Sequence, residues 1–520
     1  LERHDTLVQN LVRHLADQQN VPPEDIQVIQ THISTIILCG SQAFKLKRDI
    51  KLPFLDYSTL ELRRKACEEE YRINIRTAPE MYLDVLAVKG SMENPTLDAS
   101  AKAPVIDWLV RMRRFDNKDL FSEKAKKGVL SFQEIGELAR HIAAFHDQCA
   151  VIDEKTLQNT KSKEQWLLES LEEIRSAVPK NDSILGDCDF LERWSKTFWN
   201  NSQHHREMRA AQGFVRECHA DLHLGNITIF NGKVMAFDAI DFSPELRQLD
   251  TIQEVAFVFM DLQAHKLPQH AWHFLNSYLH ANGDYQGLFM LDYYMRYLAI
   301  VRAKVALLAK KHLHDNPLQD DAFRRYWTIA LSGIAQRTYP MACLIAGLSG
   351  SGKSAASSIL SRLIGAIWLR ADVQRKRLFP DPSVRYTKDA SRETYDHLKS
   401  TAHNLLQLGF NVIIDATFLE QWSVNLFSDL GKGLPSRTHT IAINCKAPPD
   451  LLKLRVNQRA IQGNDPSEAT VQVLEQQILK QQTNPVTWPV PVYEVMNDQD
   501  LGDLEKKLTV IAQTLENGRD

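Results

Sequence analysis

No run of eighteen apolar residues occurs in the 520-residue chain, so no helical membrane span is expected. No signal peptide opens it, which points to the cytoplasm. The chain starts at Leu1 rather than Met, so its beginning is expected to be trimmed. No C-x-x-C pair exists among Cys39, Cys67, Cys149, Cys188, Cys218, Cys343 and Cys445. Odd in number and set in apolar contexts such as "MACLIAG", they read as small buried residues of a reducing compartment. No charge excess is present: 62 Lys and Arg face 65 Asp and Glu, for a net charge of −3. A global polyanion-binding role therefore has no support. Short basic clusters remain (Arg63, Arg64 and Lys65; Arg111, Arg113 and Arg114; Arg375, Lys376 and Arg377), and most such runs are solvated helix faces. Internal repeats and low-complexity tracts are also missing.

What is present is an ordinary globular composition, 44% apolar and 24% charged, with length for about three domains. Residues 24–55 carry β-branched runs and turns, and the alternation in "AFKLK" puts Lys45 and Lys47 on one strand face. Residues 59–78 form a helix pattern ending before Pro79, and "VIDWLVRMRRF" (105–115) reads as a strand leading into a linker. From 131 the texture is amphipathic helix, interrupted near 227–242 by a hairpin pattern that turns at Asn231-Gly232. After Pro340, strands at 341–346, 411–416 and 438–445 alternate with helices, the pattern of a parallel sheet. The main boundary is expected at 336–340.

"GLSGSGKS" (347–354) matches G-x-x-x-x-G-K-S/T between an apolar strand and a helix. Gly347, Ser349, Gly350, Ser351 and Gly352 supply a turn whose backbone N–H groups cradle phosphate oxygens. Lys353 reaches the terminal phosphates and Ser354 ligates Mg2+. Asp415 ends the strand "NVIID" at the ligand-binding edge of the sheet, suited to a metal role. Asp372 in "RADVQR" is placed to take a proton from an acceptor hydroxyl, with Arg375 three residues on. Arg455 and Arg459, four apart on one helix face, can close over transferring phosphate.

"HADLHLGN" (219–226) has the spacing H-x-D-x-x-x-x-N. It suits Asp221 as acceptor of a hydroxyl proton and Asn226 as a metal ligand, with Asp238 in "MAFDAIDF" as a second metal carboxylate. Asp241 can share that role, and a metal set of His219, Asp221 and His223 is the competing assignment.

On "GLSGSGKS", "RADVQR", "VIIDATF" and "RVNQR", residues 341–480 resemble small P-loop kinases of the gluconate-kinase, polynucleotide 5′-kinase and zeta-toxin-like type. On "HADLHLGN" and "MAFDAIDF", much of 28–260 resembles aminoglycoside phosphotransferases. That resemblance implies Lys45 or Lys47 on the α- and β-phosphates and Glu70 as its helix partner, with Glu68 and Glu69 competing. It also implies a hinge at Trp108–Arg111 that hydrogen-bonds a purine. No G-x-G-x-x-G is found in the first strands, "CGSQAF" being a short substitute, and Ala220 stands where the family commonly has Gly. The whole order resembles a bacterial family of fusion proteins. The expected fold is an α+β bilobal protein-kinase-like module (N-lobe 1–113, helical C-lobe 114–338) followed by an α/β P-loop NTPase module with a parallel sheet (339–520).

The expected activity is a two-module phosphotransferase. Each module would use ATP or GTP with Mg2+ to phosphorylate a hydroxyl of a small-molecule acceptor. The rivals are a nucleic-acid 5′-hydroxyl kinase, with Arg375, Lys376 and Arg377 on strand phosphates, and a nucleotide-gated or toxin-like protein with one degenerate site. The sequence leaves open the acceptor, ATP against GTP, Lys45 against Lys47, and the oligomeric state.

Overall fold

A computed structural model describes residues 2–52, 55–180, 182–312, 317–334, 339–432, 434, 438–462 and 468–517. The chain divides into two compact units, Leu1–His265 with Met290–Gly333, and Lys266–Phe289 with Ile334–Asp520. Residues Lys266–Phe289, expected in the helical lobe, thus group with the second unit.

The first unit opens with helix α1 (Glu2–Gln19). A six-stranded antiparallel sheet follows: β1 (Gln27–Gln30), β2 (Ser34–Cys39), β3 (Gln42–Lys47), β4 (Tyr82–Gly90), β5 (Pro95–Thr96) and β6 (Val105–Arg113), in the order β1-β2-β3-β6-β4-β5. Leu7, Leu11 and Leu15 of α1 pack on Ile37, Phe44, Leu46 and Leu109 of one sheet face. Helix α2 (Leu60–Asn74) interrupts the sheet between β3 and β4, its N-terminus capped by Thr59, whose hydroxyl accepts from Leu62 N–H. "CGSQ" is a two-residue hairpin turn joining Cys39 to Gln42, with Gly40 at φ +54°.

The helical lobe includes α3 (Phe132–Gln148), closed by a Ser131–Glu134 capping box, and α4 (Thr251–Ala264), buried along nearly its whole length. Between them lies the hairpin β7 (Ile227–Phe230) and β8 (Lys233–Ala236). Its Asn231-Gly232 turn has φ +50° and +75°, the mirror-image turn that suits strand twist.

The second unit starts with α5 (Pro268–Asn282). Its sheet is wholly parallel: β9 (Met341–Ala346), β10 (Ala366–Arg370), β11 (Asn411–Asp415), β12 (His439–Lys446) and β13 (Val492–Met496), in the order β10-β11-β9-β12-β13. Helices α6 (Lys353–Ile364), α7 (Ala371–Leu378), α8 (Lys388–Gln407), α9 (Pro449–Gln462), α10 (Val471–Thr483) and α11 (Leu501–Asn517) connect and cover it. No helix among the described residues is long and apolar enough to cross a membrane.

Candidate active sites

In the first unit the β3 ladder fixes Lys45 opposite Ile36 of β2 and Val110 of β6. Its Nζ lies 2.8 Å from Glu70 Oε1 and 2.6 Å from Asp238 Oδ1. Lys47, two residues along the same face, lies 2.6 Å from the other Glu70 oxygen and ion-pairs with Asp241. The lysines differ in access: the Lys47 side chain is 0% exposed and that of Lys45 is 12% exposed. Only Lys45 therefore combines the helix carboxylate, Asp238 and an opening toward solvent. Burial alone would raise the Glu70 pKa, but the two ammonium groups overcome it and hold the carboxyl at about 2. Glu68 pairs with Arg64, and Glu69 with Arg72 and Arg247, so neither competes for the lysines. Asp241 does not share a metal role: it is 8% exposed and held by Lys47 and the Tyr57 hydroxyl, because a fully buried ammonium requires a counter-charge.

The loop 219–226 is clamped to the segment 237–240. His219 Nε2 donates to Phe237 O at 3.0 Å, Phe237 N–H to Asn226 O at 2.9 Å, and Ile240 N–H to His219 O at 3.1 Å. With His219 Nδ1 accepting from Asp221 N–H, both ring nitrogens face the backbone. That overturns the metal set of His219, Asp221 and His223, since His219 has no nitrogen left to ligate. Asn226 Nδ2 donates to Asp221 O and Oδ2, both at 3.0 Å, which leaves the Asn226 amide oxygen for a cation. Asp238 stands in the left-handed region at φ +60°, its N–H bonded to the Tyr82 hydroxyl, and Ala239 N–H is held by Asn74 of α2. Burial pushes Asp221 toward the protonated form, but His223, 3.6 Å away, and Arg302 hold it ionised with a pKa of about 2. An ionised carboxylate, an amide oxygen and a second carboxylate therefore converge beside a lysine.

One residue here escaped sequence reasoning. Ala220 takes the left-handed conformation (φ +72°) and donates its N–H to Glu254, which His146 Nε2 meets at 2.9 Å. The signal was a carboxylate inside the apolar helix "TIQEVAFVFMDLQA". The segment Trp108–Arg111, expected as a purine hinge, is strand. Those residues lie within β6, paired to β4 throughout and from Leu109 also to β3.

In the second unit the segment after β9 turns tightly through Gly347 (φ +141°) and Gly352 (φ +90°). A Cβ at Gly347 would lie 2.4 Å from Cys445 O, and one at Gly352 1.9 Å from Asn497 Nδ2. Glycine is thus required by conformation and by space, as in a cradle where backbone approaches a phosphate. Ser351 is buried, its N–H bonded to Leu348 O and its carbonyl to Asn497 Nδ2. Ser349 N–H donates to Gln477 Oε1 of α10 at 2.9 Å, a contact with no sequence signal. Lys353 Nζ donates to Leu348 O at 3.0 Å. Burial pushes its pKa down while Asp415 and Asp372 pull it up. Ser354 Oγ donates to Asp415 Oδ2 at 2.9 Å, and Trp368 Nε1 reaches the same oxygen at 3.3 Å. Burial raises the Asp415 pKa against Lys353 and Arg370.

Asp372, in the first turn of α7, makes no hydrogen bond or ion pair among the described residues and acts electrostatically on Lys353, Asp415 and Tyr386. Arg455 donates to Asn497 O at 2.9 Å and to Gly350 O at 3.4 Å, and Arg459 acts on Lys353. All the expected residues of this site are therefore gathered at one end of the sheet. The basic run behaves differently from a solvated face. Arg375 is 8% exposed and bonded to Arg385 O and Ser391 Oγ, Lys376 pairs with Glu468, and Arg377 holds His280 O and Gln374.

The first unit thus combines a six-stranded antiparallel sheet with a helical lobe, and the second a five-stranded parallel sheet with a glycine turn after its central strand. An uncharacterized protein of Mycobacterium tuberculosis is 28% identical over 464 residues, covering 86% of this chain and 88% of its own. A choline/ethanolamine kinase family protein from Mesorhizobium loti is similar at 13% identity, with a TM-score of 0.37, covering 63% of this chain and 100% of its own. A gluconokinase from Sinorhizobium meliloti is similar at 17% identity, with a TM-score of 0.25, over 35% of this chain and 100% of its own. Residues 343–483 match the family model described as an AAA domain.

Proposed function

We propose that the chain is a two-module phosphotransferase, each module moving the γ-phosphoryl of ATP or GTP to a hydroxyl of a small-molecule acceptor. The observation that carries this is the Lys45–Glu70–Asp238 ion-pair chain beside the Asp221–Asn226 hydrogen bonds, with its P-loop counterpart in Lys353, Ser354 and Asp415. Phosphoryl transfer asks little covalent work of a protein, so positioning and charge placement do most of it.

In the first module Lys45 holds the nucleotide phosphates and Glu70 holds Lys45. Asp221, already ionised, accepts the proton of the acceptor hydroxyl as its oxygen attacks the γ-phosphorus, the bond to the β,γ-bridging oxygen breaks and the nucleoside diphosphate leaves. Asn226 and Asp238 are the oxygen donors that would hold Mg2+, which suits a hard cation. In the second module the Gly347–Gly352 turn presents backbone N–H groups other than those of Ser349 and Ser351 to the phosphates, Lys353 and Arg459 carry positive charge there, and Asp372 takes the acceptor proton. Ser354 and Asp415 would hold the ion. Mg2+, when bound, neutralises charge developing on the phosphate oxygens.

A nucleic-acid acceptor is the weaker reading, because Arg375, Lys376 and Arg377 are engaged within the fold rather than aligned on an open face. The test uses isotopically labelled ATP with the full chain, Asp221→Asn, Lys353→Ala and the double variant. Each single variant keeps transfer by its intact module and the double variant loses all transfer. Full transfer by the double variant would refute the assignment.

A further inference from the structure

Arg302 lies in the long helix Leu288–His312 of the first unit, beside the loop that carries Asp221. Its guanidinium sits over the Tyr326 ring at 5.5 Å. The Tyr326 hydroxyl donates to Asp261 Oδ1 at 2.7 Å, and Asp261 Oδ2 accepts Leu224 N–H at 2.8 Å, three residues from Asp221. Two carboxylates, Asp221 and Asp261, act on the guanidinium electrostatically. Neither comes within the 4.0 Å of an ion pair, and the buried Arg302 Nε–H has no acceptor among the described residues. Leaving such a donor unbonded is costly, and arginine matches planar oxyanions two bonds at a time. The guanidinium, itself hydrogen-bonded to Tyr326, is therefore held through Tyr326, Asp261 and Leu224 N–H near the loop of Asp221, with its Nε–H unbonded among the described residues.

On the reading that the first module is a phosphotransferase using Asp221, we propose that Arg302 binds an anionic group, carboxylate or phosphate, borne by the acceptor close to the hydroxyl that is phosphorylated.

The test uses the full chain carrying Lys353→Ala, so that only the first module transfers label from γ-labelled ATP. A small-molecule extract of bacterial cells, separated by charge at neutral pH before the reaction, supplies acceptors. Label entering the anionic fraction, and lost with Asp221→Asn, is the expected result. Pretreating that fraction with phosphatase removes the acceptor if its charge is a phosphate and spares it if it is a carboxylate. With the acceptor so isolated, Arg302→Gln raises its KM by about 10- to 100-fold, and Arg302→Lys recovers part of the loss. Asp221-dependent label in the cationic or neutral fraction overturns the assignment of Arg302 while leaving the phosphotransferase intact. Equal KM values in wild type and Arg302→Gln, the variant being folded by circular dichroism, also overturn it. No Asp221-dependent label in any fraction overturns both.

Discussion

Ala220 holds a backbone conformation that costs an L-residue about 1–2 kcal/mol, yet its N–H must point at Glu254 to brace the loop. Ala220→Gly should therefore stabilise the first unit by about 1 kcal/mol, raising its unfolding midpoint by roughly 2 °C in calorimetry. Glu70 gives a pH dependence. Its carboxyl titrates near 2 in the fold and near 4.3 unfolded, so the unfolded chain binds more protons between those values. The stabilisation is full above about pH 4.3 and disappears as pH falls toward 2. Urea denaturation of wild type against Glu70→Gln should show a stability gap that closes across that interval. A gap independent of pH would rule the ion-pair chain out as its source. The shared strand face of Lys45 and Lys47 was legible from alternation, and the loop that carries Asp221 and Asn226 from its spacing. The choice of Lys45 over Lys47 was not, since it depends on Asp241 and Tyr57, which close over Lys47 from distant parts of the chain.

At the scale of elements, legibility followed periodicity. The parallel strands and the 347–354 turn were readable because apolar runs and glycines obey local rules. That Trp108–Arg111 would sit inside a strand was not readable because strand ends are set by ladder partners: β6 runs on to Arg113, paired with Gln42 of β3. Helix α5 was assigned to the wrong unit, since nothing in an amphipathic pattern names the surface that it covers. Asn276 on α5 donates to Ala366 O at 2.9 Å and accepts Trp368 N–H at 2.7 Å, pairing with the edge strand β10 as a neighbouring strand would. His280 meets Trp368 O at 2.8 Å, and Trp272 packs against Phe410. Asn276→Ala leaves both buried strand groups unbonded and should destabilise the second unit by about 2–3 kcal/mol, read from its own calorimetric transition. The same strand carries Trp368, which reaches Asp415, and leads into Asp372. Weaker nucleotide binding in that variant is expected alongside the loss of stability.

The second unit is not one contiguous stretch of chain. It takes Lys266–Phe289 from one side of the helical stretch Met290–Gly333 and Ile334–Asp520 from the other. A cut at the boundary suggested by composition, near residue 339, therefore removes α5 and uncovers the backbone of β10. An edge strand stripped of its cover presents unpaired N–H and C=O groups to other copies. The fragment 339–520 retains every residue of the P-loop site, so chemistry alone would predict an active small kinase. Packing predicts otherwise: the fragment should elute as soluble aggregates and unfold below the corresponding transition of the full chain. Adding back the segment 266–289 as a fused extension should restore a monomer that binds ATP. A monomeric 339–520 fragment with the full chain's midpoint would show that α5 is dispensable, and with it the claim that the stretch between the two catalytic loops belongs structurally to the second.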